Sequence, residues 1–132
     1  MSVDPSLALQ KAIIDAIAFG VPAVGSRVFD TPPPDAVFPY VTIGEGQEVA
    51  DLADCYNGTE SFLDIHVWSR AVGFPEAKRI ADDIRGVLHD ADLALDGHVL
   101  SLLQFRDKRS LRDPDGVTSH VAMSFRALSQ PA

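Results

Sequence analysis

The sequence predicts a single α+β domain spanning residues 1–132, a mainly antiparallel sheet with two packed helices. Two segments, about residues 5–19 and 75–89, repeat apolar side chains at helical spacing. Other segments alternate apolar and polar residues with a period of two. The order is helix, two or three strands, helix, then two or three strands. That order implies the layered class without fixing which strands pair.

The first helix opens at Asp4-Pro5, a capping carboxylate followed by a proline suited to the first helical position. Leu9, Ile13, Ile14 and Ile17 form its stripe, and Gly20 and Pro22 close it. "RVFD" reads as a short strand. Pro32, Pro33 and Pro34 then make a stiff extended connector, because proline fixes φ and offers no N–H to a ladder. "YVTIGEG" resumes strand character, with Val41 and Ile43 on one face. Residues 46–58 show no clean period and are expected to form an excursion that orders on binding, with a turn at Asn57-Gly58.

In "ESFLDIHVWSR", Leu63, Ile65 and Val67 are expected to face the core. Phe62, Asp64, His66 and Trp68 fall on the other face, where the two aromatics suggest partial cover. The helix at 75–89 is the clearest element. Pro75 opens it, Glu76 sits in its first turn, and Ala77, Ile80, Ala81, Ile84, Val87 and Leu88 form the stripe. A short strand, an Asp96-Gly97 turn and a long strand follow. A turn at Asp113-Pro114-Asp115-Gly116 leads to a last strand with Val121, Met123, Phe125 and Ala127 on one face.

Charge is distributed unevenly. The chain carries a net −8 from 11 basic and 19 acidic residues. Eight of the acids (Asp30, Asp35, Glu45, Glu48, Asp51, Asp54, Glu60 and Asp64) lie between Val28 and Ser69, a span without Lys or Arg. The remaining acids and bases cancel, so one contiguous third carries the net charge. Such a field repels nucleic-acid phosphates and attracts basic partners. The basic residues cluster in "RDKRSLR", which holds Arg106, Lys108, Arg109 and Arg112. As a regular strand it would project Arg106, Lys108 and Ser110 to one face, Arg109 and Leu111 to the other. Its plainest reading is a solvated hairpin tip; a small nucleic-acid patch, set against an acidic chain, and docking on an acidic protein surface are the functional alternatives.

Little points to catalysis. No Gly-rich phosphate loop, paired-Cys motif or nucleophile elbow is present. One cysteine, Cys55, allows no internal disulfide and has no cation in sequence nearby to activate it. The N-terminal stretch lacks the basic region of a secretory signal, and no run approaches a transmembrane span. Asp64 and His66 share a strand face, so a metal or general-base pair is geometrically possible, although a surface polar pair is the plainer reading. His89 is expected to complement the helix dipole as imidazolium, and His98 and His120 are expected to be exposed. No catalytic, cofactor or metal residue is assigned.

The segments "VFDTPPPDAVFPYVTIG", "HVWSR", "EAKRIADDIRGVLHDADL" and "LRDPDGVT", in this order and spacing, cover most of residues 28–128. Together they resemble the tail-terminator, or tail-completion, proteins of long-tailed phages and gene transfer agents. The resemblance implies a virion structural protein, not an enzyme, without cofactor or membrane association. It implies a hexameric ring on the head-proximal end of the tail tube that stops tube polymerisation. Its partners would be copies of itself, the major tail tube protein and head-completion or neck proteins, with DNA passing through the lumen unbound. Another connector or neck component, a small cytoplasmic enzyme using Asp64 and His66, and an acidic adaptor that binds a basic partner as a monomer are the alternatives. A ring needs two different surfaces that fit each other. The expected interface residues are therefore Pro32, Pro33, Pro34, Asp35, Glu45, Glu48, Asp51 and Asp54 against Arg106, Lys108, Arg109 and Arg112. Acids left unpaired are expected to line the channel.

Overall fold

The computed structural model describes residues 4–51 and 57–132. The chain runs α1 (Ser6–Gly20), β1 (Val28–Phe29), β2 (Tyr40–Asp51), β3 (Gly58–Ser69), α2 (Pro75–Leu88), β4 (Ala94–Leu95), β5 (His98–Arg112) and β6 (Ser119–Pro131). The strands form one six-stranded sheet in the order β1-β2-β3-β6-β5-β4. Only β1 and β2 are parallel; all other neighbours are antiparallel. The α+β expectation and both helix positions hold.

Both helices cover one face. α1 buries Leu9, Ile13 and Ile17, and α2 buries Ala77, Ile80, Ala81, Ile84 and Leu88. They meet Val41, Ile43, Leu63, Ile65, Val67, Leu103, Val121, Met123, Phe125 and Ala127 from the sheet. Asp4 does cap the first turn, its Oδ1 accepting the Ser6 N–H at 2.9 Å. Gly20 permits the helices to converge, since a Cβ there would lie 2.8 Å from Val87 Cγ2.

Several expectations are corrected. Residues 46–51 are strand, not excursion, because their backbone continues the ladder with β3 as far as Asp51↔Gly58. Asn57 makes the expected turn with φ 62°. Asp54 and Cys55 fall outside the described residues. "RDKRSLR" is the second half of β5, and the tip is the Asp113–Gly116 turn. Asp115 holds that turn by accepting from the Val117 N–H, the Thr118 N–H and the Thr118 hydroxyl. These bonds to the charged carboxylate lower its pKa to about 2.

Candidate functional site

The helix-free face and the two long sheet edges are the surfaces available for function. β1 pairs with β2 only at Val41 and Thr42. β4 pairs with β5 only at His98 and Val99. Each two-residue strand thus closes one end of an edge, and the closed ends lie at opposite ends of the sheet. Among the described residues, what stays open is a diagonal pair of stretches: β2 from Ile43 to Asp51, and β5 from Arg106 to Arg112, since the Asp90 N–H donates to the Leu103 carbonyl at 2.8 Å and the Phe105 N–H is taken by His89. Unpaired N–H and C=O groups there are templates for another strand.

The charged residues anticipated from sequence sit on these open stretches. Glu45, Glu48 and Asp51 belong to β2; Arg106, Lys108, Arg109 and Arg112 belong to β5. β3 and β6 separate the two edges, a span of about 14 Å at the usual strand spacing. The two charge sets are therefore not brought together within one chain. Pro32, Pro33, Pro34 and Asp35 lie on the β1–β2 loop, at the surface. Arg27 anchors that loop, donating from Nε to the Pro39 carbonyl at 2.8 Å. Glu60 is not free for a partner, since it pairs with Arg126 across β3 and β6.

A β-bulge between Phe105 and Asp107 changes the facing of the basic cluster. Arg106 lies over the Phe62 ring on the helix-free face, 4.9 Å from its centroid. Beyond the bulge, Lys108 and Arg112 pair with Met123 and Ser119 and so turn to the helix side. Arg112 stacks on Phe74 at 4.9 Å. Arg106 and Lys108 therefore do not share a face, contrary to the regular-strand reading.

The helix-free face carries an aromatic and imidazole cluster. The register sets Trp68 opposite His120 and His66 opposite Ala122. Trp68 and His120 stack at 3.9 Å and 11°. His66 Nδ1 and His120 Nε2 are 2.7 Å apart, and His66 Nε2 is 3.5 Å from Glu45 Oε2. Trp68 donates from Nε1 to Thr42 Oγ1 at 3.1 Å. The partial cover expected over Phe62 and Trp68 thus comes from neighbouring side chains, not from a further element among the described residues. An open cleft of about 410 Å³ fronts the cluster, lined in part by Asp30, Pro32, Tyr40 and Glu45.

Burial lowers the His120 pKa, and the charge of His66 acts in the same direction. Glu45 is lowered by its backbone hydrogen bond and then by His66. His120 is half-buried and His98 is buried, its Nδ1 3.1 Å from the Asp96 carbonyl; neither is the exposed residue anticipated. His89 Nδ1 accepts the Phe105 N–H at 3.0 Å, so the ring ties α2 to β5. Asp64 accepts from the Ser124 hydroxyl at 2.9 Å. Glu45 is the partner that strand alternation alone did not supply, because a bulge between Ile43 and Gly46 turns it toward His66.

The family model of tail completion protein gp17 matches residues 11–130. The chain belongs to the tail completion protein gp17 family. It is 27% identical over 123 residues to the tail completion protein gp17 of Bacillus phage SPP1, covering 92% of this chain and 91% of that protein. A chain in the virion of a native gene transfer agent particle matches with a TM-score of 0.81 at 27% identity, over 98% of this chain and 99% of that one. The structure of SPP1 gp17 matches with a TM-score of 0.61 at 28% identity, over 92% and 88%. This tail completion protein is thus a non-enzymatic structural component of a phage or gene transfer agent tail. The enzyme alternative built on Asp64 and His66 is set aside.

Proposed function

We propose that the protein forms a homo-oligomeric ring, a hexamer, that caps the head-proximal end of the tail tube. There it ends tube polymerisation and joins the tail to head-completion or neck proteins. The observation that carries the ring is the diagonal pair of open edges with opposite charge. β2 and β5 run antiparallel to each other, so the open half of β2 on one copy can pair with the open half of β5 on the next. This contact is head-to-tail, the kind that generates rings. β1 and β4 block in-line pairing and impose a stagger along the strands. Closed sheets need such a stagger, and here it slides Glu48 and Asp51 towards Lys108, Arg109 and Arg112.

In such a ring the helices lie outside and the helix-free face lines the lumen. Acids outnumber arginines on that face, through Glu45, Asp51, Asp64 and Asp107, which suits DNA that passes without being held. One rim carries Val37, Val72 and Val117, all more than half exposed at 64%, 98% and 60%. Arg70 gathers this rim, lying 4.3 Å from the Phe38 ring centroid and donating to Thr118 Oγ1. Exposed valines beside the Pro32–Pro39 loop suit an axial protein contact.

Solution mass and negative-stain imaging of the purified protein, alone and with tail tubes, test the reading. Rings with a central hole at tube ends support it. Binding only to neck protein, never to tubes, would assign the chain to the neck instead.

A further inference from the structure

We propose that Glu45, Asp64 and His66 form a binding site for one divalent transition-metal ion, with Zn²⁺ as the reference ion, completed by water. One ligand atom from each of the three lies within 4.8 Å of the other two. Ligands at zinc distances, about 2.0–2.2 Å, sit about 3.4 Å apart on a tetrahedral ion. The His66 Nε2 to Glu45 Oε2 separation of 3.5 Å already meets that spacing. Closing the rest requires about 1.4 Å of movement at most on the same geometry. The Glu45 side chain, 85% exposed, can supply movement without disturbing the core.

The surroundings fit a metal better than a chance group of polar residues. The tautomer that leaves the His66 Nε2 lone pair towards Glu45 and Asp64 carries its proton on Nδ1. His120 Nε2 stands 2.7 Å away to accept it, and stacking on Trp68 fixes the His120 ring. An acceptor on the far nitrogen is how metal-binding histidines are usually oriented. Ser124 donates to Asp64 Oδ1 and leaves the second oxygen uncommitted to that bond. Gly44 keeps the approach open, because a Cβ there would lie 3.0 Å from His66 Nε2. One imidazole and two carboxylates favour Zn²⁺, Co²⁺ or Ni²⁺ over Ca²⁺ or Mg²⁺, which prefer all-oxygen shells. All three ligands come from β2 and β3 of one chain, so the site needs no second copy.

Calorimetric titration of the full chain with Zn²⁺ alone, paired with ¹⁵N NMR of the imidazoles, decides the matter. The expected result is one saturable ion per chain, reversed by EDTA, that shifts His66 Nε2 and leaves His89 and His98 unmoved. Glu45→Gln and Asp64→Asn should each weaken binding by about 10-fold or more, and His66→Ala should abolish it. His120→Ala should weaken it about 10-fold, the usual cost of losing an orienting partner. Gly44→Ala should also weaken it by crowding Nε2. No saturable binding, shifts at His89 or His98 instead, or unchanged affinity in both carboxylate variants would each overturn the site. Should His66→Ala fail to fold by circular dichroism, Glu45→Gln decides, since that side chain lies outside the core.

Discussion

Reversing Arg109 and Arg112 to Glu tests the ring at its most specific point. Both lie on the open half of β5, with Arg109 opposite Ala122 on the helix-free face and Arg112 opposite Ser119 on the other. In the proposed staggered junction they would approach Glu48 and Asp51 of the next copy. An exposed ion pair contributes roughly 0.2–1 kcal/mol, and reversal replaces attraction with a similar repulsion. Two reversals therefore cost about 2 kcal/mol per junction, or roughly 30-fold in its association constant. A closed ring requires every junction, so the losses multiply around it. The effect should grow at low salt, because the Debye length lengthens from about 10 Å at 0.1 M to about 30 Å at 0.01 M. Arg112 also stacks on Phe74, which adds about 0.5–1 kcal/mol of monomer destabilisation; thermal melts of the monomer measure that part separately. Native mass spectrometry across a salt series reads the ring population. Adding Glu48→Lys and Asp51→Lys should restore rings by exchanging the signs. A folded double variant that assembles like the parent at every salt concentration would refute the edge-to-edge contact.

Phe125 is fully buried, and Phe125→Ala should cost about 3–5 kcal/mol in denaturant unfolding, a large part of a typical domain's stability. Glu48 is raised chiefly by burial and then by Asp4, with the Ser61 hydroxyl in partial opposition, so ionising it opposes folding. Glu48→Gln should therefore raise Tm at pH 7 and leave it nearly unchanged at pH 3, where both side chains are neutral. Asp115 has the opposite sign: its contribution is present above the unfolded value of 3.8 and fades as pH falls towards about 2. A ¹³C NMR titration should place its midpoint near there, and Asp115→Ala should loosen the Asp113–Gly116 turn first in hydrogen exchange. Val72→Asp, at a side chain 98% exposed, should leave fold and ring intact while weakening capture on tail tubes in a pull-down.

The parts of the molecule legible in sequence are those where one element decides its own pattern. The α2 stripe is such a case: Ala77, Ile80, Ala81, Ile84 and Leu88 are all buried, and Pro75 marks the start. The core face of β6 was equally readable, since Val121, Met123, Phe125 and Ala127 alternate in and the residues between them do not. What sequence left hidden depends on register between strands. His66 and His120 are 54 residues apart and meet only because β3 lies beside β6 with Trp68 opposite His120. The Phe105/Asp107 and Ile43/Gly46 bulges each shift a strand by one residue. Such a shift reverses the facing of every side chain beyond it. No Gly or Pro marks the first bulge, so Arg106 could not be separated from Lys108 by inspection. Residues 46–51 lack an apolar period because they lie on an open edge beyond the core, where alternation is not enforced by burial.

The two least conspicuous strands bear most on assembly. β1 and β4 hold two residues each, too few to give a periodic signal, and they add little area to the core. Yet without them, and without the bonds of Asp90 and His89 to Leu103 and Phe105, both edges would be open along their full length, and copies could pair in several registers or stack without limit. With them, each edge offers only one half, the halves lie diagonally, and each half carries one sign of charge. In the proposed ring, register and partner edge are then selected by the same stretch of backbone, and a like edge is rejected by both shape and charge. The charge imbalance that first set residues 28–69 apart thus acquires a geometric role. In the proposed ring its Glu48 and Asp51 are placed where one end of a neighbouring β5 can reach, while the acids that no neighbour meets remain on the face proposed to line the lumen.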